Sequence, residues 1–548
     1  MTKFNTQATR PPARGPIVAE ATPSGKTYEG GSGYAHDDKS ALFLLAVSNF
    51  VGEDTFYENA GDRDERFRQL VHRVAVADGE WFTRFVAWLR GPEANMRSAS
   101  LVAALEGVKA RLDANLPSVP AYEVPGQTSD RGIERTLVDS VLQRADEPGE
   151  ALAYWISRYG RAIPKPVKRG VADAVRRLYT EYTLLKYDTP SHAFRFGDVI
   201  DLVHPQPRLD GAVWQGPLFR YALDRRHGRD NETPGVLQMI RLNARFRALV
   251  ASGELSGLLD SNVLRTAGLT WEDALSLAGD RVPKRELWEA LIPTMGYMAL
   301  LRNLRNLDEA DVPDRVATQV AERLADPEQV ARSRQLPFRF LAAYENVPSV
   351  RWSHALDLAL RQSLLNLPEL PGRSLILVDT SASMTQGKFS KNSTMTPAKA
   401  AALFGVALAA RNPRRVDLYG FADGVFRHDF DFMSSPIREM TRFIARTGEV
   451  GHGTRIAESL QATFIPTQHD RVFIISDMQT FSSSPYAPDV TGSVPRTTPI
   501  YGFNLGGYRS TAFDAGTANR HEFGGLTDAT FKMIPLLEAG KNANWPWQ

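Results

Sequence analysis

The chain contains no cysteine, and this absence removes several classes of site. Without thiols it has no disulfides, no cysteine-ligated zinc centre and no cysteine nucleophile. The ten histidines are scattered and no H-E-x-x-H motif is present, which disfavours a zinc hydrolase. Proteins without disulfides are typical of the cytoplasm, and we expect a cytoplasmic location.

The sequence also lacks a long apolar run and a large net charge. No stretch approaches the roughly 20 apolar residues of a membrane helix, so we expect no membrane partner. The N-terminus has two Pro-Arg clusters but no apolar core, and we do not expect a secretory signal there. Because the net charge is only +2, any nucleic-acid site must be a local basic patch.

The 548 residues are enough for two or more domains, and their pattern changes twice along the chain. Residues 1–33 are rich in Thr, Pro, Gly and Ser, which predicts a flexible N-terminal arm. Residues 34–367 repeat apolar side chains at i, i+3, i+4 and i+7, which predicts helices throughout. Such a long helical stretch with short connections suggests an all-α, HEAT-like solenoid of irregular repeats.

Residues 368–548 follow a different pattern, because strand-like runs now alternate with helices. The expected strands are 374–380, 415–422, 471–477 and 498–505. This alternation predicts an α/β doubly wound domain, with a parallel sheet covered by helices on both faces. Pro368 and Pro371 would stop the preceding helix, so the boundary is placed there.

Five oxygen-bearing side chains are expected at the carboxyl ends of these strands, where doubly wound sheets bind ligands. They are Asp379, Ser381, Ser383, Thr454 behind three glycines, and Asp477. An oxygen shell with few charges suits a hard divalent cation, Mg²⁺ or alternatively Mn²⁺. The sequence therefore predicts a cation site that water and an outside acidic ligand complete.

Rival interpretations of these five residues fit the sequence less well. Ser381 and Ser383 could simply cap the following turn, but capping does not explain Asp477 and Thr454. Asp379 could be a phosphotransferase nucleophile, but the haloacid-dehalogenase pattern needs a second Asp where this chain has Ser381. Neither serine lies in a G-x-S-x-G elbow, and no G-x-x-x-x-G-K-[ST] loop is present. The pattern favours binding over catalysis.

The order of these residues resembles a known metal site: D-x-S-x-S comes first, then a Thr after a glycine-rich loop, then an Asp ending a strand. It is similar to the metal-ion-dependent adhesion site of von Willebrand factor A-type domains, over roughly residues 372–540. The resemblance implies that Ser381, Ser383 and Thr454 touch the metal, with Asp379 and Asp477 acting mostly through water. Many relatives continue the last motif as D-G, where this chain reads D-M-Q.

A helical stretch followed by this domain resembles the Ro autoantigen family of TROVE-module RNA-binding proteins, specifically its bacterial members. The matching segments include 64–90, 157–175, 196–207, 295–307 and the "LVDTSASM" site. The resemblance implies a helical ring with a central hole, closed by the A-type domain. Y RNA would bind outside the ring, and single-stranded ends of misfolded RNA would enter the hole.

The same resemblance implies a role in RNA quality control. Some bacterial members use Y RNA to tether the exoribonuclease polynucleotide phosphorylase. We therefore expect a monomeric, non-catalytic RNA-binding protein. The rival hypothesis is a cation-dependent protein-adhesion module without an RNA function.

Residues 158–186 are a concentrated basic segment, with eight Lys and Arg against two acidic residues. The predicted RNA-binding residues here are Lys165, Lys168, Arg169, Arg176, Arg177 and Lys186. Two basic pairs, Lys168 with Arg169 and Arg176 with Arg177, lie seven to nine residues apart. They can share a helix face and neutralise phosphates. The alternative is a solvated face whose arginines pair with acids.

His204, Arg302 and Arg305 complete the predicted RNA-binding residues. His204 aligns with a position of the Ro family, but a histidine before proline is as often a structural helix end. Arg302 and Arg305 are three apart on one helix face. They either line the hole of the ring or form structural ion pairs, and the sequence favours neither alternative.

Overall fold

The computed structural model describes residues 13–48, 54–118, 132–208, 211–229, 232–335, 337–347, 349–365, 367–387, 395–482, 489–525 and 528–548. The chain divides into two compact units. An α/β unit comprises Met1–Val74, Gly91–Ala99 and Ser363–Gln548, and a helical unit comprises Ala75–Arg90 and Ser100–Gln362. Within the described stretches, no helix is long and apolar enough to cross a membrane.

The region predicted to be helical is helical. Its helices are α1 (Asp38–Val47), α2 (Ala60–Ala77), α3 (Gly79–Arg90), α4 (Arg97–Asp113), α5 (Ile133–Val141), α6 (Glu147–Tyr159), α7 (Lys165–Leu178), α8 (Glu181–Tyr187), α9 (Phe196–Val203), α10 (Gln215–Arg226), α11 (Gln238–Ala251), α12 (Ser261–Thr266), α13 (Trp271–Ala278), α14 (Lys284–Leu291), α15 (Tyr297–Glu309), α16 (Asp314–Ala325), α17 (Pro327–Ser333), α18 (Pro337–Asn346) and α19 (Ser353–Ser363). Short 3₁₀ turns lie at Ser256–Leu259, Ile292–Thr294 and Val350–Trp352.

Helix α7 shows how the apolar pattern sets the orientation of a helix. Val167 and Val171 are fully buried, and Gly170 lies against α5. A Cβ at Gly170 would come within 2.6 Å of the Val138 side chain, so only glycine permits this close approach of the two helices. The exposed Lys165 and Arg169 therefore lie on the side of α7 that is turned away from α5.

In the described part of the α/β unit, nine strands form two sheets. The strands are β1 (Gly25–Lys26), β2 (Ser32–Ala35), β3 (Ser374–Asp379), β4 (Val416–Phe421), β5 (Val425–His428), β6 (Arg471–Ser476), β7 (Ile500–Asn504), β8 (Ser510–Thr511) and β9 (Arg520–Gly524). The main sheet has the order β5-β4-β3-β6-β7-β9. All its pairings are parallel except β4 with β5. The four predicted strands are confirmed as β3, β4, β6 and β7.

Five further helices belong to this unit: α20 (Ala382–Gln386), α21 (Pro397–Arg411), α22 (Pro436–Ile444), α23 (Ile456–Thr463) and α24 (Asp528–Glu538). Strands β3 and β6 are buried along their whole length, because both lie in the interior of the sheet. One apolar cluster joins Leu375, Leu377, Val472 and Ile474 of these strands to side chains of α23. The doubly wound α/β class is therefore confirmed.

The predicted N-terminal boundary differs from the structure. Residues 1–12 of the predicted arm lie outside the described residues, but residues 13–33 are packed against the α/β unit. Strand β2 pairs with β1 on one side and with β8 on the other. Helix α1 packs next to β9, and the chain up to Val74 belongs to this unit rather than to the helical one.

Candidate metal centre and candidate nucleic-acid interface

The five predicted metal-site residues lie at the carboxyl edge of the central strands. Asp379 ends β3, and Asp477 directly follows β6. Ser381 is the N-cap of α20, Ser383 lies within that helix, and Thr454 precedes α23. All five are buried, with at most 5% of any residue exposed. We refer to them together as the oxygen cluster.

Hydrogen bonds fix the first carboxylate and the serines relative to one another. Asp379 accepts hydrogen bonds from the backbone N–H of Ser381, at 2.9 Å, and from the hydroxyl of Ser476. The hydroxyl oxygens of Ser381 and Ser383 are 3.2 Å apart. Although Ser381 occupies the N-cap position, its side chain makes no capping hydrogen bond. Helix capping therefore does not account for this hydroxyl.

The glycine-rich loop that carries Thr454 is held against the serine loop. The backbone N–H of Ala382 donates to the carbonyl of His452 at 2.8 Å. Asp423 accepts from the backbone N–H groups of His452 and Gly453, at 2.9 and 3.0 Å, and these bonds lower its pKa. A Cβ at Gly453 would lie 2.4 Å from the Asp423 carboxylate, so the loop requires glycine here.

Thr454 has a firmly held backbone and an unsatisfied hydroxyl. Its carbonyl accepts hydrogen bonds from the Phe481 N–H at 2.9 Å and the Thr480 hydroxyl at 3.0 Å. Its own hydroxyl oxygen is buried and has no hydrogen-bond partner within the described part of the chain. A buried polar atom left in this state costs about 1–3 kcal/mol. Coordination of a cation would satisfy it.

Asp379 and Asp477 form a buried pair of like charges. Burial raises the pKa of Asp379. Burial, together with the negative charge of Asp379, raises the pKa of Asp477. Like charges in such surroundings do not both ionise readily unless positive charge is supplied. A divalent cation bound here would supply that charge and would reverse the direction of both shifts.

The space beside the oxygen cluster is small. A cavity lined by Ser383, Asp477, Thr55 and Tyr508, among others, holds about 10 Å³ of water-accessible volume. That is close to the minimum needed for one water molecule. In the described stretches no three histidine or carboxylate groups converge, so the donors are two carboxylates and three hydroxyls. This set of hard oxygens fits Mg²⁺ or Mn²⁺.

Met478 occupies the position where many A-type domains have the glycine of D-G. Its φ is +60°, in the left-handed region that favours glycine. Its side chain is fully buried, and its N–H donates to the Ser476 hydroxyl at 3.0 Å. The backbone conformation expected of the glycine is thus present, with an apolar side chain added to the core.

Helix α7 carries five of the predicted RNA-binding residues. At about 100° per residue, Lys165, Arg169 and Arg176 fall within roughly 40° of one another, with Lys168 about 60° to one side. Lys165 and Arg169 are exposed, whereas Lys168 and Arg176 are half-buried. Among the described residues, Lys165, Lys168 and Arg169 form no ion pair. We call these four residues the basic face.

Arg177 is separated from the basic face by its contacts with α5. Its guanidinium donates to the Asp139 carboxylate at 2.7 Å. It also donates to the carbonyls of Asp139 and Leu142, at 3.1 and 3.0 Å. The two basic pairs therefore do not share a face completely, because Arg177 lies about 100° around the helix from Arg176. The geometry of Arg177 matches the alternative in which the arginines of this helix pair with acidic residues.

Lys186 and His204 lie on other elements. The Lys186 ammonium is exposed and lies over the rings of Tyr182 and Tyr187, at 5.8 and 5.1 Å from their centroids. His204 is exposed and is the C-cap of α9, with φ of 50°. A left-handed C-cap is a structural helix end, so the position of His204 has a sufficient structural explanation.

Arg302 and Arg305 are both exposed on α15, but their surroundings differ. Arg305 pairs with Glu309 one turn later, at 2.8 Å. Burial, together with the nearby charge of Arg302, lowers the pKa of Arg339. Arg305 therefore fits the structural alternative, whereas Arg302 lies close to another cation.

Two residues that shape the oxygen cluster were missed in the sequence. Ser476 bonds the Asp379 carboxylate, and Asp423 holds the loop of Thr454. Both residues lie at the carboxyl edge of the sheet, since Ser476 ends β6 and Asp423 lies two residues beyond β4. The carboxyl-edge rule could have identified them.

Comparison with known proteins agrees with this architecture. The model of the TROVE domain family matches residues 264–353. The "RNA-binding protein RO60" of Deinococcus radiodurans is 32% identical over an alignment of 420 positions that covers 72% of each chain. The crystal structure of the RO (RSR) protein of Deinococcus radiodurans matches with a TM-score of 0.56 and 18% identity. That likeness of fold covers 91% of this chain and 100% of the other.

A further match is local. Telomerase protein component 1 of Mus musculus is 42% identical over 80 residues, or 14% of this chain. The same protein of Rattus norvegicus is 41% identical over a stretch of equal length. This chain spans 3% of the length of each of these relatives.

A helical unit combined with a doubly wound α/β unit that carries the oxygen cluster at its carboxyl edge defines the class of this protein. With the match to the Deinococcus protein over 72% of both chains, the chain belongs to the Ro family of TROVE-domain proteins.

Proposed function

We propose that this protein binds small structured non-coding RNA of the Y RNA kind through the basic face of α7. The observation that carries the proposal is a group of cations, Lys165, Lys168 and Arg169, that no described acidic residue neutralises. In its support, the Deinococcus relative is named an RNA-binding protein.

The chemistry of the basic face suits a phosphate backbone. Each lysine or arginine that neutralises a phosphate releases a condensed counterion, so affinity falls steeply with salt. Helix α7 also begins after Pro164 without a side-chain cap. Because Pro166 has no N–H, the first turn offers a phosphate only the Lys165 and Val167 N–H groups, and the positive end of the helix dipole adds to the attraction.

The wider role that we propose follows the Ro family. Single-stranded ends of misfolded RNA would enter the hole of a helical ring, with Arg302 as a candidate contact. The protein would act as a cytoplasmic monomer in RNA quality control. Bound Y RNA would connect it to an exoribonuclease such as polynucleotide phosphorylase.

We propose that the protein itself is not an enzyme. The candidate nucleophile Asp379 is fully buried, and hydrogen bonds from Ser381 and Ser476 engage its carboxylate oxygens. A nucleophile must reach its substrate, and this carboxylate is arranged as an acceptor inside the fold. Loss of a Mg²⁺-dependent activity in Asp379→Asn would contradict this proposal.

We further propose that the oxygen cluster holds Mg²⁺ or Mn²⁺. Ser381, Ser383 and Thr454 would touch the cation, and Asp379 and Asp477 would act mostly through water. When bound, the cation supplies a positive centre for an acidic ligand. The hydroxyls and carboxylates fix its position, and the surrounding strands exclude bulk water.

The test of RNA binding is a triple charge reversal, Lys165→Glu, Lys168→Glu and Arg169→Glu, in the full-length protein. We expect affinity for a stem-loop Y RNA to fall by at least tenfold at moderate salt, because three phosphate contacts become repulsive. Filter binding at several salt concentrations measures both the affinity and its salt dependence.

The matched control is Lys284→Glu, Arg438→Glu and Lys541→Glu. These three exposed cations are scattered over the chain, and their reversal changes the net charge by the same amount. Equal losses in both triple variants, or no loss in either, would refute the basic face as the RNA site. Cation-dependent capture of a protein by a wild type that binds no RNA would favour the adhesion-module alternative.

A further inference from the structure

The helical unit contains a cleft of about 760 Å³ whose lining includes none of the four residues of the basic face, and we call it the aromatic cleft. Its volume is within the range of about 300–1,000 Å³ that is usual for ligand sites. Its walls come from α8, the starts of α13 and α15, and α17 with the residues that follow it. Among its lining residues are Tyr182 and Lys186 of α8, Trp271 and Glu272 of α13, and Tyr297 of α15. All five belong to the helical unit.

Close packing and a hydrogen bond hold the walls of this cleft in place. A Cβ at Gly268 would lie 3.0 Å from the Leu185 side chain, so the loop before α13 packs closely on α8. The Tyr297 hydroxyl donates to the carbonyl of Leu324 at 2.7 Å, which ties α15 to the end of α16. The ring of Tyr297 also meets that of Phe340 edge-on, with centroids 6.3 Å apart. The cleft is therefore formed before any ligand arrives.

Two aromatic rings of the cleft offer surface to a ligand. Tyr182 is 43% exposed, and its hydroxyl forms no hydrogen bond with the residues that the structure describes. Trp271 is half-buried and stacks on the buried ring of Trp288, with centroids 6.0 Å apart. One side of the Trp271 ring is thus supported from within the helical unit. Rings presented in this way bind unpaired nucleic-acid bases by stacking, because every base has a flat π-face.

A cation and an acid accompany these rings. The Lys186 ammonium lies 5.8 Å from the centroid of the Tyr182 ring and forms no ion pair with the described residues. Glu272 is exposed and likewise pairs with no described cation. Arg332, by contrast, is already paired with Glu328, at 3.3 Å. A nucleotide matches the two free charges, because its phosphate attracts an ammonium and its base edge carries N–H donors for a carboxylate.

We propose that the aromatic cleft binds an unpaired nucleotide of RNA, with the base stacked on Tyr182 or Trp271 and Lys186 at a phosphate. The proposal rests on the RNA function proposed above, and it adds a second site to the basic face. Helix α8 follows α7 after two residues, so the two sites lie on consecutive helices. An RNA with an unpaired nucleotide next to a stem uses both sites, whereas a fully paired stem uses only the basic face.

The experiment measures binding of the full-length protein to two labelled RNAs, an unstructured oligo-adenylate and a fully paired stem, by fluorescence anisotropy. For Tyr182→Ala we expect the oligo-adenylate affinity to fall by about 5- to 100-fold, the usual effect of losing one base–aromatic stack. Affinity for the paired stem should stay at the wild-type value. Lys186→Ala should reduce the salt slope of oligo-adenylate binding by about 1, because one phosphate contact is lost.

The matched control is Tyr344→Ala, which removes a 37% exposed tyrosine of the same unit that does not line the cleft. We expect it to bind both RNAs like wild type. Equal losses in Tyr182→Ala and Tyr344→Ala, or wild-type-like binding of oligo-adenylate by Tyr182→Ala, would overturn the aromatic cleft. Circular dichroism establishes that each variant is folded.

Two further outcomes separate this site from the basic face and from free nucleotides. A wild type that binds the stem but not oligo-adenylate would overturn the aromatic cleft and leave the basic face standing. Oligo-adenylate binding that depends on Tyr182, in a protein that does not bind the stem, would support the cleft and refute the basic face. Displacement of oligo-adenylate by an equal concentration of adenosine monophosphate would make a free nucleotide the occupant and overturn the assignment to RNA.

Discussion

The oxygen cluster of the α/β unit and the basic face of the helical unit are built in opposite ways. The cluster is buried, and Asp379, Ser381 and Ser383 are connected by hydrogen bonds. Lys165 and Arg169 of the basic face are exposed and rely on the position of their helix alone. A buried site derives its selectivity from the fixed positions of its ligand atoms. An exposed cationic surface attracts phosphates over a longer distance, and salt screens that attraction.

The largest expected effect separates the two sites. Asp379→Ala should reduce Mn²⁺ affinity by about 100-fold or more, because it removes a carboxylate that also orders Ser381. RNA affinity should stay within about twofold of wild type, since the basic face is unchanged. Calorimetric titration with Mn²⁺ and filter binding with RNA measure the two affinities.

Asp429→Ala is the control for that experiment, because it removes an exposed carboxylate from the same α/β unit. It should alter neither affinity. A parallel loss of RNA and Mn²⁺ binding in Asp379→Ala would show that the two sites are coupled and would break the contrast between them.

A smaller effect concerns pH. Because Asp379 and Asp477 have raised pKa values in the folded protein, they contribute stability below their unfolded pKa, near 4. That contribution is lost as the pH rises through the folded values. Without cation, we therefore expect the melting temperature to fall by several degrees as pH rises from mildly acidic to mildly alkaline. Mg²⁺ should restore more stability at the alkaline end.

Differential scanning calorimetry with and without Mg²⁺ measures this pH effect. Asp477→Asn should flatten the pH dependence, because the amide does not titrate. A Mg²⁺ effect that is the same at every pH would count against the buried carboxylate pair as its source.

The smallest effect lies within α7 itself. Arg177→Ala should cost about 1 kcal/mol of unfolding free energy through its half-exposed pair with Asp139, with little change in RNA affinity. Arg169→Ala should leave stability unchanged but reduce the salt slope of RNA binding by about 1. Urea unfolding and salt-dependent filter binding distinguish the two outcomes. A reduced salt slope of RNA binding in Arg177→Ala, with unchanged stability, would place Arg177 on the RNA surface.

The predictable parts of the fold have a strong local pattern. Strands β3 and β6 are continuous apolar runs because both faces of the sheet are covered, and this composition is visible in the sequence. Asp379 and Asp477 could be placed in one site since parallel strands end at the same edge. The apolar period likewise predicted the helices without any tertiary information.

Strand β9 was missed because its sequence, "RHEFG", reads as a polar turn although all five residues are buried. The Arg520 guanidinium donates to the carbonyl of Val494 at 2.7 Å. Glu522 accepts from Asn504 at 2.8 Å and from Thr511 at 2.9 Å. Partners distant in sequence thus permit a charged strand in the interior, and no local pattern reveals them.

The N-terminal segment was misassigned for a related reason. Strands β1 and β2 have two and four residues, too short for an alternating pattern. The packing of this segment on the α/β unit could not be predicted, because the contacts that hold it join residues more than 450 positions apart, as between Thr27 and Thr480. Side chains that support a site from another part of the chain need the tertiary structure.

That separation has a consequence for synthesis in the cell. Thr27 leaves the ribosome 453 residues before its partner Thr480. At ordinary translation rates of about 5–20 residues per second, the N-terminal hairpin waits roughly 20 to 90 s for the strands it joins. Throughout that time Tyr34 and the apolar side of α1, buried in the finished protein, have no surface to cover them. We therefore expect the newly made N-terminus to need chaperone protection until the α/β unit is complete.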